Sequence, residues 1–247
     1  MRTATFASRN TKEILRDPLT LVFGIGFPLV LLILLSAINA GIPKEANVVM
    51  FHIENLAPGI SVFGLSFLSL FASMLLAKDR STSFMLRLFT SPLKPSEFIV
   101  GYTMPIIPMA LAQSAICYLF ALFYGLPVSV NLPVAVVCNL PIAVFYIALG
   151  LLLGSVLNEK AVGGICGALV TNLSAWFANI WFDTSMVGGV FEKIAGILPF
   201  SHAVTLARAA VSGNLAGATT DLLWVSAYAL AFLTAAVIVF ARQLKRL

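Results

Sequence analysis

Residues 132–157 read LPVAVVCNLPIAVFYIALGLLLGSVL, a stretch without Asp, Glu, Lys, Arg or His. A bilayer core takes about 20 consecutive apolar residues per helical crossing. A membrane β-strand alternates over about ten, and this stretch does not alternate. It therefore reads as a transmembrane helix. Five further blocks have the same character: 19–40, 58–77, 98–125, 161–182 and 222–241. Their connections are short, so the sequence predicts an all-α polytopic membrane protein. It has a single domain over 1–247, with six transmembrane helices.

Composition agrees. The chain is 60% hydrophobic and 10% charged, with mean hydropathy +1.00. A water-soluble domain carries about 25% charged residues, since its surface must be solvated. The first block is longer than a signal-peptide core and is preceded by acids, so it reads as a retained span. Cys117, Cys138 and Cys166 all lie inside expected spans, without metal-ligand spacing.

Lys and Arg placement sets the expected orientation. Six spans leave both termini on one side, together with Arg2, Arg9, Lys12, Arg16, Lys78, Arg80, Arg87, Lys94, Lys160, Arg242, Lys245 and Arg246. The other side receives Lys44, Lys193 and Arg208. Both termini are expected in the cytoplasm and the protein in the cell membrane. The net charge of +5 reads as topology and contact with membrane lipids, not nucleic-acid binding.

Three segments lie outside the spans. As a helix, residues 1–18 gather Phe6, Ala7 and Ile14 on one face and Arg9, Lys12 and Arg16 on the other. That pattern suits an interfacial helix ended by Pro18, or simply a positive flank. Between spans two and three, Ser81 or Thr82 can cap a short helix that Pro92 ends. This helix, about 79–92, carries Phe84, Met85, Leu88 and Phe89. Such residues pack back on the bundle, rest on headgroups, or dock in another protein's groove. On the outer side, 184–200 is apolar but too short to span, and reads as a hairpin in the outer leaflet.

None of the spans carries Asp, Glu, Lys, Arg or His, which speaks against proton coupling. Asn39, Asn172 and Asn179 are the candidate path-lining groups, while Gln113 and Asn139 are the same type of residue; interhelical packing is the commoner role. There is no phosphate-binding loop, H-E-x-x-H helix or G-x-S-x-G elbow. No catalytic residue, metal site or cofactor is expected in this chain.

A basic amphipathic start ending in Arg16-Asp-Pro18, six spans, Thr90-Ser-Pro92 after the second, and an outer Leu198-Pro-Phe200 followed by His202, Arg208 and Gly213 together resemble a type-2 ABC transporter permease. The resemblance covers nearly the whole chain. It implies that 79–92 is a coupling helix docking on an ATP-binding cassette subunit through Asp79, Arg80, Thr82, Phe84, Met85, Leu88, Phe89, Ser91 and Pro92. It makes the N-terminal helix, with Phe6, Arg9, Lys12, Ile14 and Arg16, a second contact. It makes 184–200 a re-entrant outer gate, with Pro199, Phe200 and His202 at its end. It further implies a second permease copy, identical or related, and a route often faced by the first, second and fifth spans. ATP and Mg2+ are then bound by the partner subunit. The implied function is ATP-driven export of a drug-like, lipid or natural-product substrate. A lipid-linked glycan exporter and a self-contained channel or facilitator are the alternatives.

Overall fold

The computed structural model describes residues 2–43, 49–82 and 94–244, and among them every regular element is helical. Helix α1 is Arg2–Arg16; α2 is Pro18–Gly41, α3 Ile53–Ser81, α4 Pro95–Leu122 and α5 Asn131–Val156. Helix α6 covers 159–177, α7 is Gly189–Ile197, α8 Pro199–Ser212 and α9 Thr219–Leu244. Helices α2 to α5 and the stretch Leu215–Gln243 are each long and apolar enough to cross a membrane. Helices α7 and α8 together make a sixth candidate, bent by 69°.

Two boundaries depart from the sequence reading. The block expected as the fifth span, 161–182, forms α6, which stops at Phe177 and is not among the helices that meet the length and hydropathy of a crossing. Asn179 turns the chain with φ +56°, a left-handed conformation that Asn tolerates better than most residues. Its side-chain Oδ1 accepts from the Thr184 amide at 2.9 Å, which fixes the turn. The outer apolar segment does not end at Phe200 either. Pro199 occupies the first turn of α8, where a missing N–H costs nothing, and the helix continues to Ser212.

Helix α3 is the axis of the bundle, buried without interruption from Leu56 to Ser69. Helix α5 reaches it through Gly150 and Gly154. A Cβ at Gly150 would fall on the Ser69 carbonyl and lie 2.7 Å from Ser69 Cα. One at Gly154 would lie 2.6 Å from the Ser73 carbonyl oxygen. In lipid there is no hydrophobic drive between apolar helices, so close backbone approach through small residues supplies the packing. Helix α2 starts at Asp17, whose carboxylate accepts from the Leu19 amide at 3.2 Å. It contains a widened π-type turn at Val22–Gly26, and Phe27 packs edge-on against Phe67 at 5.5 Å. Its other face, with Val30, Ile33 and Leu34, points outward.

The N-terminal helix corrects the expectation of an apolar face lying in lipid. Phe6 and Ile14 are buried in the protein core. Phe6 meets Tyr102 and Phe98 edge-on at 4.9 and 5.8 Å, and Gly101 leaves the room that its ring occupies. The α1 face is complementary to α4, so it packs there. Phe98 also meets Phe240 of α9 at 5.5 Å, so both ends of the chain share one end of the bundle.

Candidate functional site

That shared end also holds the last turn of α3. Asp79 lies in the last turn of α3, just before the segment expected to dock a partner. Its carboxylate receives Arg9 through two hydrogen bonds, Nη1 to Oδ2 at 2.6 Å and Nη2 to Oδ1 at 2.8 Å. Tyr102 donates its hydroxyl to Oδ2 at 2.9 Å. Glu13, one helical turn beyond Arg9, pairs with it at 2.7 Å and takes Lys78 Nζ at 2.8 Å. Asn10 donates to the Gly101 carbonyl at 3.1 Å. Burial opposes the Arg9 charge, but the hydrogen bonds and charge of Asp79 outweigh it and hold the guanidinium pKa above the ordinary arginine value. Planar bidentate pairing of this kind fixes geometry as well as charge. Helix α1 is thus clamped to α3 and α4 at once.

Asp79 and Arg80 were expected to take part in docking a partner; within the bundle both side chains make contacts of their own. The Asp79 side chain is 3% exposed and faces α1. Arg80 donates to the carbonyls of Gly154 and Leu157 at 2.7 and 3.1 Å, capping the C-terminal end of α5, where a cation is favoured. Asp79 is buried and Arg80 is partly exposed. Thr82 is exposed and donates back to the Asp79 carbonyl at 3.0 Å. Phe84, Met85, Leu88, Phe89, Ser91 and Pro92 lie outside the described residues.

The architecture is that of a helical membrane protein, with an N-terminal helix locked beside the end of its second long apolar helix. The family model for ABC-2 type transporters matches residues 2–211. The chain belongs to the ABC-2 type transporter family. It is a multi-pass membrane protein and a transport subunit. No curated protein matches the sequence. The match runs from α1 through nearly all of α8, so it includes both the clamped end and the bent pair of this permease.

The path-lining candidates do not come together. Asn172 is spent on its own helix, donating to the Ala168 carbonyl at 2.8 Å. Asn179 shapes the turn after α6. Asn39 lies in the last turn of α2, and its carbonyl accepts from Ile42 at 3.2 Å. The buried polar groups at mid-bundle are others. Asn139 Nδ2 faces Ser61 Oγ and Ser114 Oγ, both at 3.0 Å. Gln113 donates to the Ser61 carbonyl at 3.3 Å. These tie α3, α4 and α5 together, which is interhelical packing. Among the described residues no three of His, Cys, Asp or Glu gather as a metal site.

At the opposite end the bent pair is held by its freed carbonyls. The Ile197 carbonyl accepts from Trp224 Nε1 at 2.9 Å and from the Tyr228 hydroxyl at 3.0 Å. His202 places Nδ1 2.6 Å from Asp221 Oδ1 and Nε2 3.0 Å from the Gly196 carbonyl. A bend in apolar surroundings is tolerated when the broken carbonyls find partners; α9 serves that of Ile197, and His202 and Ser201 of α8 serve those of Gly196 and Ala195. Phe200 is buried and stacks on Tyr146 at 6.3 Å. Arg208 donates to the carbonyls of Asn179 and Asn55 at 2.8 and 3.3 Å. Asp221, Trp224 and Arg208 were not among the expected gate residues.

Proposed function

We propose that this permease is the membrane-spanning half of an ATP-driven exporter. Both termini are cytoplasmic, and a drug-like, lipid or natural-product substrate is carried outward. Family membership implies association with an ATP-binding cassette subunit, and ATP and Mg2+ belong there. A second permease copy completes the route. The observation that supports this reading is the clamp of Arg9 on Asp79. It makes the end of α3 a rigid platform from which the apolar segment after Thr82 departs. A partner's push on that segment is then passed to α3 instead of being absorbed by a loose hinge. Nucleotide binding draws the two ATPases together and shifts the equilibrium between inward- and outward-favouring states.

The test replaces Phe84, Leu88 and Phe89 with Ala and measures co-purification with the neighbouring ATPase together with stimulated hydrolysis. Both should fall sharply while the permease alone stays folded. Unchanged assembly and turnover would remove the docking role. Flux through the reconstituted permease without any ATPase would favour a facilitator instead.

A further inference from the structure

A cleft of about 850 Å³ opens between α1, the start of α2 and the last turns of α3. Its depth is apolar. Phe71 and Leu75 form the buried floor, while Leu19 and Met74 are exposed on its walls. Its rim is charged, and most of those charges are already engaged. Arg9 and Lys78 are held by Glu13 and Asp79. Asp17 turns its carboxylate onto the Leu19 amide and the Thr20 hydroxyl at 3.2 and 2.6 Å. Glu159 takes the Ser81 hydroxyl at 2.7 Å. Two cations are left over. Lys12 and Arg16, one helical turn apart, are exposed on the rim, and among the described residues neither has an ion-pair partner.

We propose that this cleft is a binding site for one acidic phospholipid of the adjoining leaflet. The phosphate lies between Lys12 and Arg16, and an acyl chain runs over Leu19 and Met74 towards Phe71. The chemistry on both sides of the cleft asks for one molecule that is anionic at one end and apolar at the other. A soluble anion satisfies the rim and leaves the floor in water; a neutral lipid covers the floor and leaves the two cations unmatched. Basic pockets beside transmembrane helices recognise acidic headgroups in this manner. Burial of Phe6 and Ile14 against the protein sharpens the point, because it takes the main apolar face of α1 out of lipid and leaves Leu15 as its exposed large apolar side chain. The site depends on the permease reading only in placing α1 at the membrane boundary.

The test is made on the purified full-length permease without any ATPase, so its outcome is separate from that of the transport proposal. Native mass spectrometry reads the lipid retained from mixtures of dioleoylphosphatidylglycerol and dioleoylphosphatidylcholine. The wild type should keep one phosphatidylglycerol with a preference of about 30-fold, as two surface cations acting on one headgroup give. Lys12→Gln with Arg16→Gln should erase the preference, and Lys12→Arg with Arg16→Lys should preserve it. Met74→Trp, which fills the apolar wall and leaves the cations intact, should lower retention of both lipids. A preference that survives Lys12→Gln with Arg16→Gln, or retention unchanged in Met74→Trp, overturns the site. Displacement of the lipid by millimolar glycerol 3-phosphate overturns it too, since that would mark a site for a free anion.

Discussion

Removing Arg9 should harm this permease more than removing both Arg9 and the charge it serves. In Arg9→Ala the Asp79 carboxylate, 3% exposed, keeps, among the described residues, only the Tyr102 hydroxyl as a side-chain hydrogen-bond partner. Leaving one member of a buried pair uncompensated costs about 3–5 kcal/mol. Arg9 is 37% exposed, so water reaches the vacated space and about 3 kcal/mol is the reasonable figure. For a chain of this size about 1 kcal/mol moves the melting temperature by roughly 2–4 °C, so Arg9→Ala should lose about 6–12 °C. Asp79→Asn keeps a single oxygen, which in the Oδ2 position still accepts from Tyr102 and from Arg9 Nη1. Its amide nitrogen loses the bond from Arg9 Nη2, while Arg9 retains Glu13 at 2.7 Å, so its cost should be about 1.5 kcal/mol. The double variant Arg9→Ala/Asp79→Asn contains no stranded charge and should melt above Arg9→Ala alone. The coupling should be about 2 kcal/mol, in the range found for contacting groups. Scanning fluorimetry in one fixed detergent compares the four proteins. If the double variant loses the sum of the two single losses, the pair is not coupled and the clamp does not hold α1.

A glycine series tests the α3–α5 contact. Gly150→Ala and Gly154→Ala press a methyl group on backbone atoms of Ser69 and Ser73 and should each cost about 1–3 kcal/mol by overpacking. Gly163→Ala, which meets nothing within 4 Å, should be neutral or gain up to about 1 kcal/mol; equal melting shifts across the three would refute the close approach. Trp224→Phe leaves the Ile197 carbonyl with Tyr228 alone and should cost about 1 kcal/mol. His202→Ala frees both Asp221 and the Gly196 carbonyl and should cost about 1–3 kcal/mol. The same fluorimetry should order His202→Ala below Trp224→Phe.

The blocks of uncharged residues made the bundle legible, because the bilayer imposes a length on each helix that composition records directly. What composition does not record is where a helix stops inside an apolar run. Ala178 to Phe182 is as hydrophobic as what precedes it; only the turn set by Asn179 and Thr184 ends α6. The Gly150-x-x-x-Gly154 spacing was a readable signal for close helix contact, and it points at the Ser69 and Ser73 backbone. Asp79 was harder. In the sequence it stands among polar and basic residues after an apolar block, which suits an exposed loop. Its partner Arg9 is seventy positions away, and no local pattern joins them. The amphipathic pattern of residues 2–16 likewise showed that Phe6 and Ile14 share a face. It could not say whether lipid or α4 covers that face, since both are apolar.

Placing Asp79 inward changes how a partner's force would travel. A docking residue transmits force by touching the partner, whereas Asp79 touches α1 and α4. Helix α3 continues without a break from this clamp to its first turn, where Arg208 of α8 donates to the Asn55 carbonyl and Ile180 packs 3.5 Å from the Cβ position of Gly59. Its length of roughly 43 Å therefore joins the clamped end to the bent pair α7–α8 through one rigid element. On the exporter reading, a displacement of the segment after Thr82 arrives at the far end as a shift of α3 against Arg208. Arg208 bonds there to the carbonyls of Asn55 and Asn179 and to Met50 Sδ, and Asp183 acts on it only through space, since among the described residues no carboxylate lies within ion-pair distance of it. Such bonds can be exchanged for others as the helix slides, while the doubly bonded ion pair at Asp79 resists. The strong joint thus lies where force enters, and the yielding one lies where the bundle must open.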